Sequence, residues 1–312
     1  MKVAVIEGGR SLERGVSLRT SGRVQDGLER LGHDVTAIEA DGGMIESLRA
    51  LKPAVAMIAV HGATGEDGTI QQLLELLGIP YTGSSPAASA LASDKAFAKI
   101  VLRAAGLPTP ESALIDGTSL RELGIGSLLP EIGERLGWPL IVKPVAQGSA
   151  LGVSLARSES EVPAALLSAL SYDSRALLES QVVGRELAIA VLEQDGGPTV
   201  LPVVEAVPVG DVYDFEARYE AGATHLVCPA DLDSETTAKV MGLAAEAFGA
   251  LGCKGCARVD MILTSEGEAS ILELDTVPGL TQTSLVPQAA EAAGIGFEAL
   301  LEQLLKLALT RN

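Results

Sequence analysis

Apolar positions in the first sixty residues follow two alternating rhythms. Val3–Ile6, Val35–Glu39 and Val55–Val60 are short, nearly continuous apolar runs that predict strands. Between them, Arg14–Leu31 and Ile45–Leu51 carry apolar residues at helical spacing, and Gly32 supplies a stop for the first helix. Strand-helix-strand-helix-strand order predicts a parallel sheet with helices on both faces. Ligands of such sheets sit beyond the carboxyl ends of the strands. Two polar, glycine-containing segments fall there, Glu7–Glu13 and His61–Gly68.

The pattern changes after Gly83-Ser-Ser-Pro86. Asp94–Ala105 reads as a helix closed by Gly106, with Pro108 and Pro110 beyond it. Trp138–Lys143 reads as a strand, followed by a Gly/Ser loop to Gly152 and another strand from Val153. Glu159–Leu170 predicts a helix and Ala176–Glu179 a strand. Strands are expected again at Glu186–Leu192 and Val200–Val204, then a polar segment over Gly210–Gly222 and a helix over Ser234–Leu251. Val259–Leu263 and Ile271–Leu274 read as strands joined by a turn at Ser265–Glu268, and helices Pro287–Ala293 and Phe297–Leu309 close the chain. Three sub-domains are expected, at 1–90, 91–180 and 181–312.

The last two strands carry the strongest chemical signal. Carboxylates inside apolar, β-prone runs are costly to bury unless something positive meets them. Glu273 and Asp275 are two residues apart and share one face of a strand. If the two strands pair, Asp260 joins them. Hard oxygen donors of this kind suit Mg²⁺, which takes its remaining ligands from water and substrate phosphates. That points to nucleotide chemistry.

Composition narrows the field further. The 312 residues are 47% hydrophobic and 21% charged, as in an ordinary globular enzyme. A formal net charge of −18 excludes a nucleic-acid backbone as the main partner, because that needs basic patches. Three cysteines are too few for a disulfide framework, and Cys253-x-x-Cys256 has no second pair to complete a zinc site. The strand pattern begins almost at Met1 without a signal peptide, and no apolar run is long enough to span a membrane. A cytoplasmic protein is expected.

Other candidates are individually weak. Lys143 stands at a strand end before a Gly-rich loop whose N–H groups can cradle phosphate, although such a loop is as often a plain turn. Lys95 opens a helix where anions are favoured, and alone it reads as a surface lysine beside an Asp cap. Glu179 and Glu186 flank a sub-domain junction, His61 ends an apolar strand, and Gly279–Leu285 leads into a helix start. Tyr213–Tyr219 is charged and aromatic in a chain with only 3% aromatics, so it is either a solvated loop or a cover for a ligand.

Taken in order, these segments resemble the D-alanine–D-alanine ligases of the ATP-grasp superfamily, from the first strand to the last helix. The resemblance runs through Gly8-Gly-Arg-Ser-Leu-Glu-Arg-Gly-Val-Ser17, His61-Gly-Ala-Thr-Gly-Glu-Asp-Gly68, Gly78–Ser84, Ser93-Asp-Lys95, Val142-Lys-Pro144 and Gly148-Ser149. It continues through Tyr213–Tyr219, Cys228-Pro-Ala230, Arg258-Val-Asp260 and Glu273–Leu285. It implies an α/β, ATP-grasp fold in which an N-terminal parallel-sheet domain precedes two α+β domains that sandwich ATP. By that resemblance Lys95, Lys143 and Arg218 meet ATP, Glu179 the adenine edge and Glu186 the ribose. Asp260, Glu273 and Asp275 hold two Mg²⁺, with Mn²⁺ as an alternative ion. Glu13 takes the ammonium of the first D-alanine with His61 nearby, and Ser284 and Leu285 receive the second. Arg258 and the Gly279 N–H stabilise the oxyanion, while Ser149 and Tyr219 tie the loop to Glu13. The implied protein is a cytoplasmic homodimer acting on D-alanine and ATP.

Several positions depart from the family pattern. Asp275 stands where Asn is usual, Arg218 where Lys is usual, Ala150 where a second Ser is common, and Ser180-Gln181 where a Lys and an aromatic residue are expected. A weaker hold on adenine is the expectation. Tyr219 favours an amine as second substrate. A ligase for another D-amino or D-hydroxy acid, and a non-catalytic nucleotide-binding relative, are the competing readings.

Overall fold

Val3, Ala4, Val5 and Ile6 are wholly buried because their strand is covered on both faces. This strand, β1 (Lys2–Glu7), is followed by α1 (Arg14–Arg30), β2 (Asp34–Glu39), α2 (Met44–Leu51) and β3 (Val55–Ile58), and the sheet is parallel in the order β2-β1-β3. Val3 and Val5 pack toward α1, whereas Ala4 and Ile6 pack toward α2, as strand alternation requires. α1 ends as Gly32 implied: Gly32 (φ 81°) and His33 donate to the carbonyls of Glu29 and Leu28, satisfying the last turn. The coordinates are a computed structural model and describe residues 1–194, 197–209 and 222–310.

Next come α3 (Thr69–Leu77), α4 (Pro86–Ser93) and α5 (Lys95–Ala104). α3 and α4 were not predicted; α4 is a run of small residues with little amphipathic contrast, started by the Ser85 cap and Pro86. α5 begins at its Asp94 cap, whose Oδ1 accepts from Phe97 N at 3.0 Å. The second sheet comprises β4 (Ser112–Asp116), β5 (Leu140–Pro144), β6 (Ser154–Ala156) and β7 (Arg175–Ser180), antiparallel in the order β4-β7-β5-β6. Helices α6 (Gly117–Glu122), α7 (Leu129–Leu136) and α8 (Val162–Leu170) accompany it. β4 was also unpredicted: it is an edge strand with one fully buried side chain, Ile115.

The third sheet holds β8 (Arg185–Gln194), β9 (Gly197–Val200), β10 (Val204–Pro208), β11 (Thr224–Val227), β12 (Cys256–Leu263) and β13 (Ala269–Asp275). Its order is β11-β10-β8-β12-β13, with β9 on β8. The single strand expected over Val200–Val204 is instead the end of β9 and the start of β10, which follow one another along the same edge of β8 with a one-residue register slip between them. α9 (Ser234–Ala250) and Ala98 and Leu102 of α5 cover the face carrying Leu187, Ile189 and Val259. α10 (Leu285–Ala292) covers the opposite face, where Ala188 and Ala190 point, and α11 (Phe297–Thr310) returns to pack on α1 and β3. One apolar cluster therefore joins the first sheet to the third. Among the described residues no helix is long and apolar enough to cross a membrane.

Candidate active site

The carboxylate strands pair as their sequence implied. In the antiparallel register Arg258 lies opposite Asp275 and Asp260 opposite Glu273, so all four side chains share one face. A bulge between Asp260 and Met261 interrupts the ladder there. Continuing across β8, Ile262 is opposite Glu186, which places Glu186 on the same face one pair further along.

These carboxylates do not stand empty-handed. Arg258 Nε and Nη2 donate to Asp260 at 2.7 and 2.9 Å, and Nη1 lies 3.1 Å from Asp275 Oδ2. Burial opposes the Arg258 charge, but the two aspartates outweigh it and hold its pKa well above the ordinary value. Lys95 Nζ lies 3.1 Å from Glu273 Oε2 and donates to Gln147 O at 2.9 Å. Among the described residues no three His, Cys, Asp or Glu side chains converge as a ready metal cage. The shared face and oxygen-only donor set still fit Mg²⁺, provided Arg258 and Lys95 turn to other anions.

Three distant segments close the rest of the cleft. Glu13 precedes α1, His61 and Glu66 come from the loop after β3, and Ala146–Ser149 come from the loop between β5 and β6. Ser149 Oγ donates to Glu13 Oε1, and Ser149 and Ala150 sit at φ 54° and 56°. That left-handed conformation is uncommon for residues with a Cβ and marks a constrained loop. Gly148 allows the approach: a Cβ there would lie 2.9 Å from both Glu13 carboxylate oxygens.

Glu13 is the most informative group. It is 4% exposed, and its Oε2 has no hydrogen-bond partner among the described residues. Burial and the nearby Glu66 charge raise its pKa from 4.5 to about 7, against the Ser149 hydrogen bond and His61. A buried carboxylate oxygen without a donor, facing a cleft, is suited to a cation. His61 is held by Thr20 Oγ1 at 3.0 Å from Nε2 and by Glu66 Oε1 at 3.7 Å from Nδ1. Burial lowers its pKa, but Glu66, Asp275 and Glu13 outweigh that and raise it. Asp275 is pushed up to about 6 by burial and by Glu66, despite Arg258. The cleft wall bears Glu13, Glu66, Asp67, Glu273 and Asp275 against Lys95 and Arg258, so it invites added positive charge.

Loop 279–285 forms the remaining wall. Ser284 Oγ accepts from Thr281 N at 3.0 Å rather than capping α10, and a Cβ on Gly279 would lie 2.9 Å from Ser284 Oγ. Arg23 of α1 holds this loop by donating to the carbonyls of Leu280 (3.0 Å) and Thr281 (2.6 Å), with its guanidinium 3.8 Å above the Phe297 ring.

Behind the cleft, Glu179 Oε2 meets Lys143 Nζ at 2.6 Å and Oε1 meets Lys99 Nζ at 2.7 Å. Burial opposes the Glu179 charge, but Lys143 and Lys99 outweigh it and hold its pKa below the usual range. Its side chain is thus committed to lysines. The structure brings Glu13, His61, Lys95, Ser149, Arg258, Glu273, Asp275, Gly279, Ser284 and Leu285 to one cleft, with Asp260 behind Arg258. Lys143, Glu179 and Glu186 lie off its wall, and Arg218 and Tyr219 are outside the described residues. Sequence reasoning passed over Arg23, Glu66 and Lys99. Lys99 had a signal, since it is one helical turn after Lys95 on the face that carries Ala98 and Leu102 inward. The Cys253 and Cys256 thiols are buried, which pushes them up to about 11 and about 12, as inert packing groups.

Known proteins resemble this chain along most of its length. Family models described as the D-ala D-ala ligase C-terminus and N-terminus match residues 101–306 and 40–84. A D-alanine–D-alanine ligase of Pelotomaculum thermopropionicum is 41% identical over 309 residues, covering 99% of this chain and 97% of the relative. The crystal structure of D-alanine–D-alanine ligase from Bacillus anthracis complexed with ATP is similar with a TM-score of 0.83 at 30% identity, over 99% of this chain and 97% of that one. The VanG D-Ala:D-Ser ligase from Enterococcus faecalis is similar with a TM-score of 0.83 at 28% identity, over 98% and 99%. The chain belongs to the D-alanine–D-alanine ligase family and shares its α/β architecture.

Proposed function

We propose that this family member is an ATP-dependent enzyme that joins two D-alanines, releasing ADP and phosphate, to supply a peptidoglycan precursor. The observation that carries the reading is Glu13: a buried carboxylate with one unpartnered oxygen, in the same cleft as Arg258 and Lys95. An α-amino acid presents the complementary pair of charges, an ammonium for Glu13 and a carboxylate for the cations opposite.

With its ammonium on Glu13, the first D-alanine directs a carboxylate oxygen at the γ-phosphorus of ATP. The new O–P bond forms as the bond to the ADP oxygen breaks, giving an acyl phosphate. Lys95, and Lys143 with Arg218, neutralise charge on the phosphates. The amine of a second D-alanine, held beside Ser284 and Leu285, then attacks the acyl carbon. Arg258 and the Gly279 N–H meet the developing oxyanion, and inorganic phosphate leaves as the C–O bond breaks, taking up the proton that the attacking neutral amine gives up. Glu186 suits the ribose, and Glu179 supports the adenine side. Ser149 holds Glu13, and Tyr219 closes with it, so that water does not reach the acyl phosphate. Asp260, Glu273 and Asp275 would hold two Mg²⁺, or Mn²⁺, which when bound neutralise phosphate charge. We further propose a cytoplasmic homodimer.

The deciding experiment is phosphate release from ATP with D-alanine, D-serine and D-lactate supplied singly and in pairs. Release with D-alanine alone, yielding the dipeptide, is the expected result. A requirement for D-serine or D-lactate beside D-alanine would move the chain to a mixed-substrate branch, and no release with any of them would overturn the reading.

A further inference from the structure

Lys99 has no part in the reaction outlined above, yet it is 1% exposed and charged. Its ammonium donates to Thr109 Oγ1 at 2.6 Å and Pro110 O at 3.3 Å, and lies 2.7 Å from Glu179 Oε1. Glu179 Oε1 makes no well-aligned hydrogen bond, so its contact with Lys99 is chiefly electrostatic. Lys143 differs. Its Nζ meets Glu179 Oε2 at 2.6 Å and has no further partner among the described residues. Two of its protons therefore remain to be given.

Two lysines against one glutamate leave a net positive charge where water scarcely reaches. Such an imbalance is costly in a resting fold and is relieved when an anion or a strong acceptor arrives. The arrangement is directional. Lys99 is locked from behind by α5 and the Thr109–Pro110 segment, whereas Lys143 is on β5, which leads directly into the Gly-rich loop. Lys95, one turn before Lys99 on α5, reaches that loop at Gln147 O.

We propose that Lys99 is a positioning residue for the nucleotide: by neutralising Glu179 from behind, it leaves Lys143 able to aim its remaining protons at acceptor atoms of ATP. The inference rests on the ligase reading only in naming ATP as the ligand. Without Lys99, Glu179 and Lys143 form a closed one-to-one pair, and the cluster loses the charge that draws an anion. Burial brings the Lys99 ammonium down to about 8 against the pull of Glu179, with Lys143 and Arg103 adding repulsion. The charged groups facing it are Glu179 from β7, Lys143 from β5 and Arg103 from its own helix. Raising the pH through about 8 should therefore mimic its removal.

The test compares the unaltered full chain with two variants of one position, Lys99→Met and Lys99→Arg. Met keeps the length of the side chain and leaves no unpaired buried charge. Pro110 O retains Arg103 as a donor at 2.8 Å, so the fold should survive. Binding of a non-hydrolysable ATP analogue with Mg²⁺ is measured by calorimetry at pH 7 and pH 9, beside the KM for D-alanine at saturating ATP. Loss of one charge-assisted contact predicts about tenfold weaker analogue binding in Lys99→Met, with the D-alanine KM within about twofold. Lys99→Arg should restore binding to within about threefold and abolish the weakening between pH 7 and pH 9. Unchanged analogue affinity in Lys99→Met would overturn the proposal, as would an equal loss for both substrates that Arg does not rescue. Analogue binding without D-alanine-dependent phosphate release would instead defeat the ligase reading and leave the Lys99 comparison intact. No analogue binding by the unaltered chain would overturn both.

Discussion

Arg258 and Asp275 face each other across the β12–β13 pair, with Nη1 3.1 Å from Oδ2. Asp260 grips the same guanidinium through two further hydrogen bonds. The arginine proposed to meet the oxyanion is thus clasped by carboxylates proposed to hold metal. By the resemblance, Asp275 stands where Asn is usual.

Asp275→Asn should improve the nucleotide site. It removes one negative charge beside the phosphates while keeping an oxygen ligand and releasing Arg258 from one of two partners. A unit charge within ~8 Å is worth on the order of 2 kcal/mol at an effective dielectric of about 20. KM for ATP should fall at least threefold (roughly 0.7 kcal/mol) at saturating Mg²⁺, with more Mg²⁺ needed to saturate. Steady-state kinetics over a Mg²⁺ series check this, and a loss of turnover beyond tenfold would count against it.

Arg258→Gln should separate catalysis from metal affinity. Losing an oxyanion donor lowers kcat by about 10²–10³-fold. Stranding Asp260 and Asp275 destabilises the metal-free chain by roughly 3–5 kcal/mol. Added Mg²⁺ should therefore raise the thermal midpoint of the variant more than that of the parent. Equal Mg²⁺ responses would show that these aspartates do not meet the ion.

The pH dependence of stability follows from Glu13. Its folded pKa, about 7, lies above the unfolded 4.5, so the proton is bound more tightly in the fold. The associated stability is present below pH 4.5 and is lost as pH rises through 7, amounting to about 3 kcal/mol. Glu13→Gln should flatten that decline and raise the thermal midpoint of the ligand-free chain at pH 8, while abolishing dipeptide formation. Denaturation curves between pH 5 and pH 8 test it; parallel curves for both proteins would refute the assignment.

Gly148→Ala places a methyl group 2.9 Å from both Glu13 oxygens, so the loop carrying Ser149 must back away. KM for D-alanine should rise by about tenfold or more, the size of one charge-assisted hydrogen bond. Affinity for an ATP analogue should stay within about twofold. If both substrates weaken together, the loop collapses instead of retreating from Glu13.

Local pattern determined much of this protein. Three apolar runs separated by helical spacing sufficed for β1, β2 and β3, because burial on two faces demands continuous apolar strands. The alternation around Asp260, Glu273 and Asp275 placed those carboxylates on one face, since side-chain direction on a strand has period two. The quoted motifs carried the family. The edge strand β4 and the short helices α4 and α6 escaped because few buried residues leave weak periodicity, whereas α3 and α7 do carry apolar residues at helical spacing and that signal was passed over. The contact of Ser149 with Glu13 across 136 residues was expected from the resemblance and not from local pattern, and only the tertiary structure decided that Arg258 lies clasped by two aspartates and that Lys99 stands behind Glu179. Spacing along a chain fixes the face on which a side chain points. Which charges meet across that face depends on how separate elements pack, and on burial that makes an unmatched ion costly.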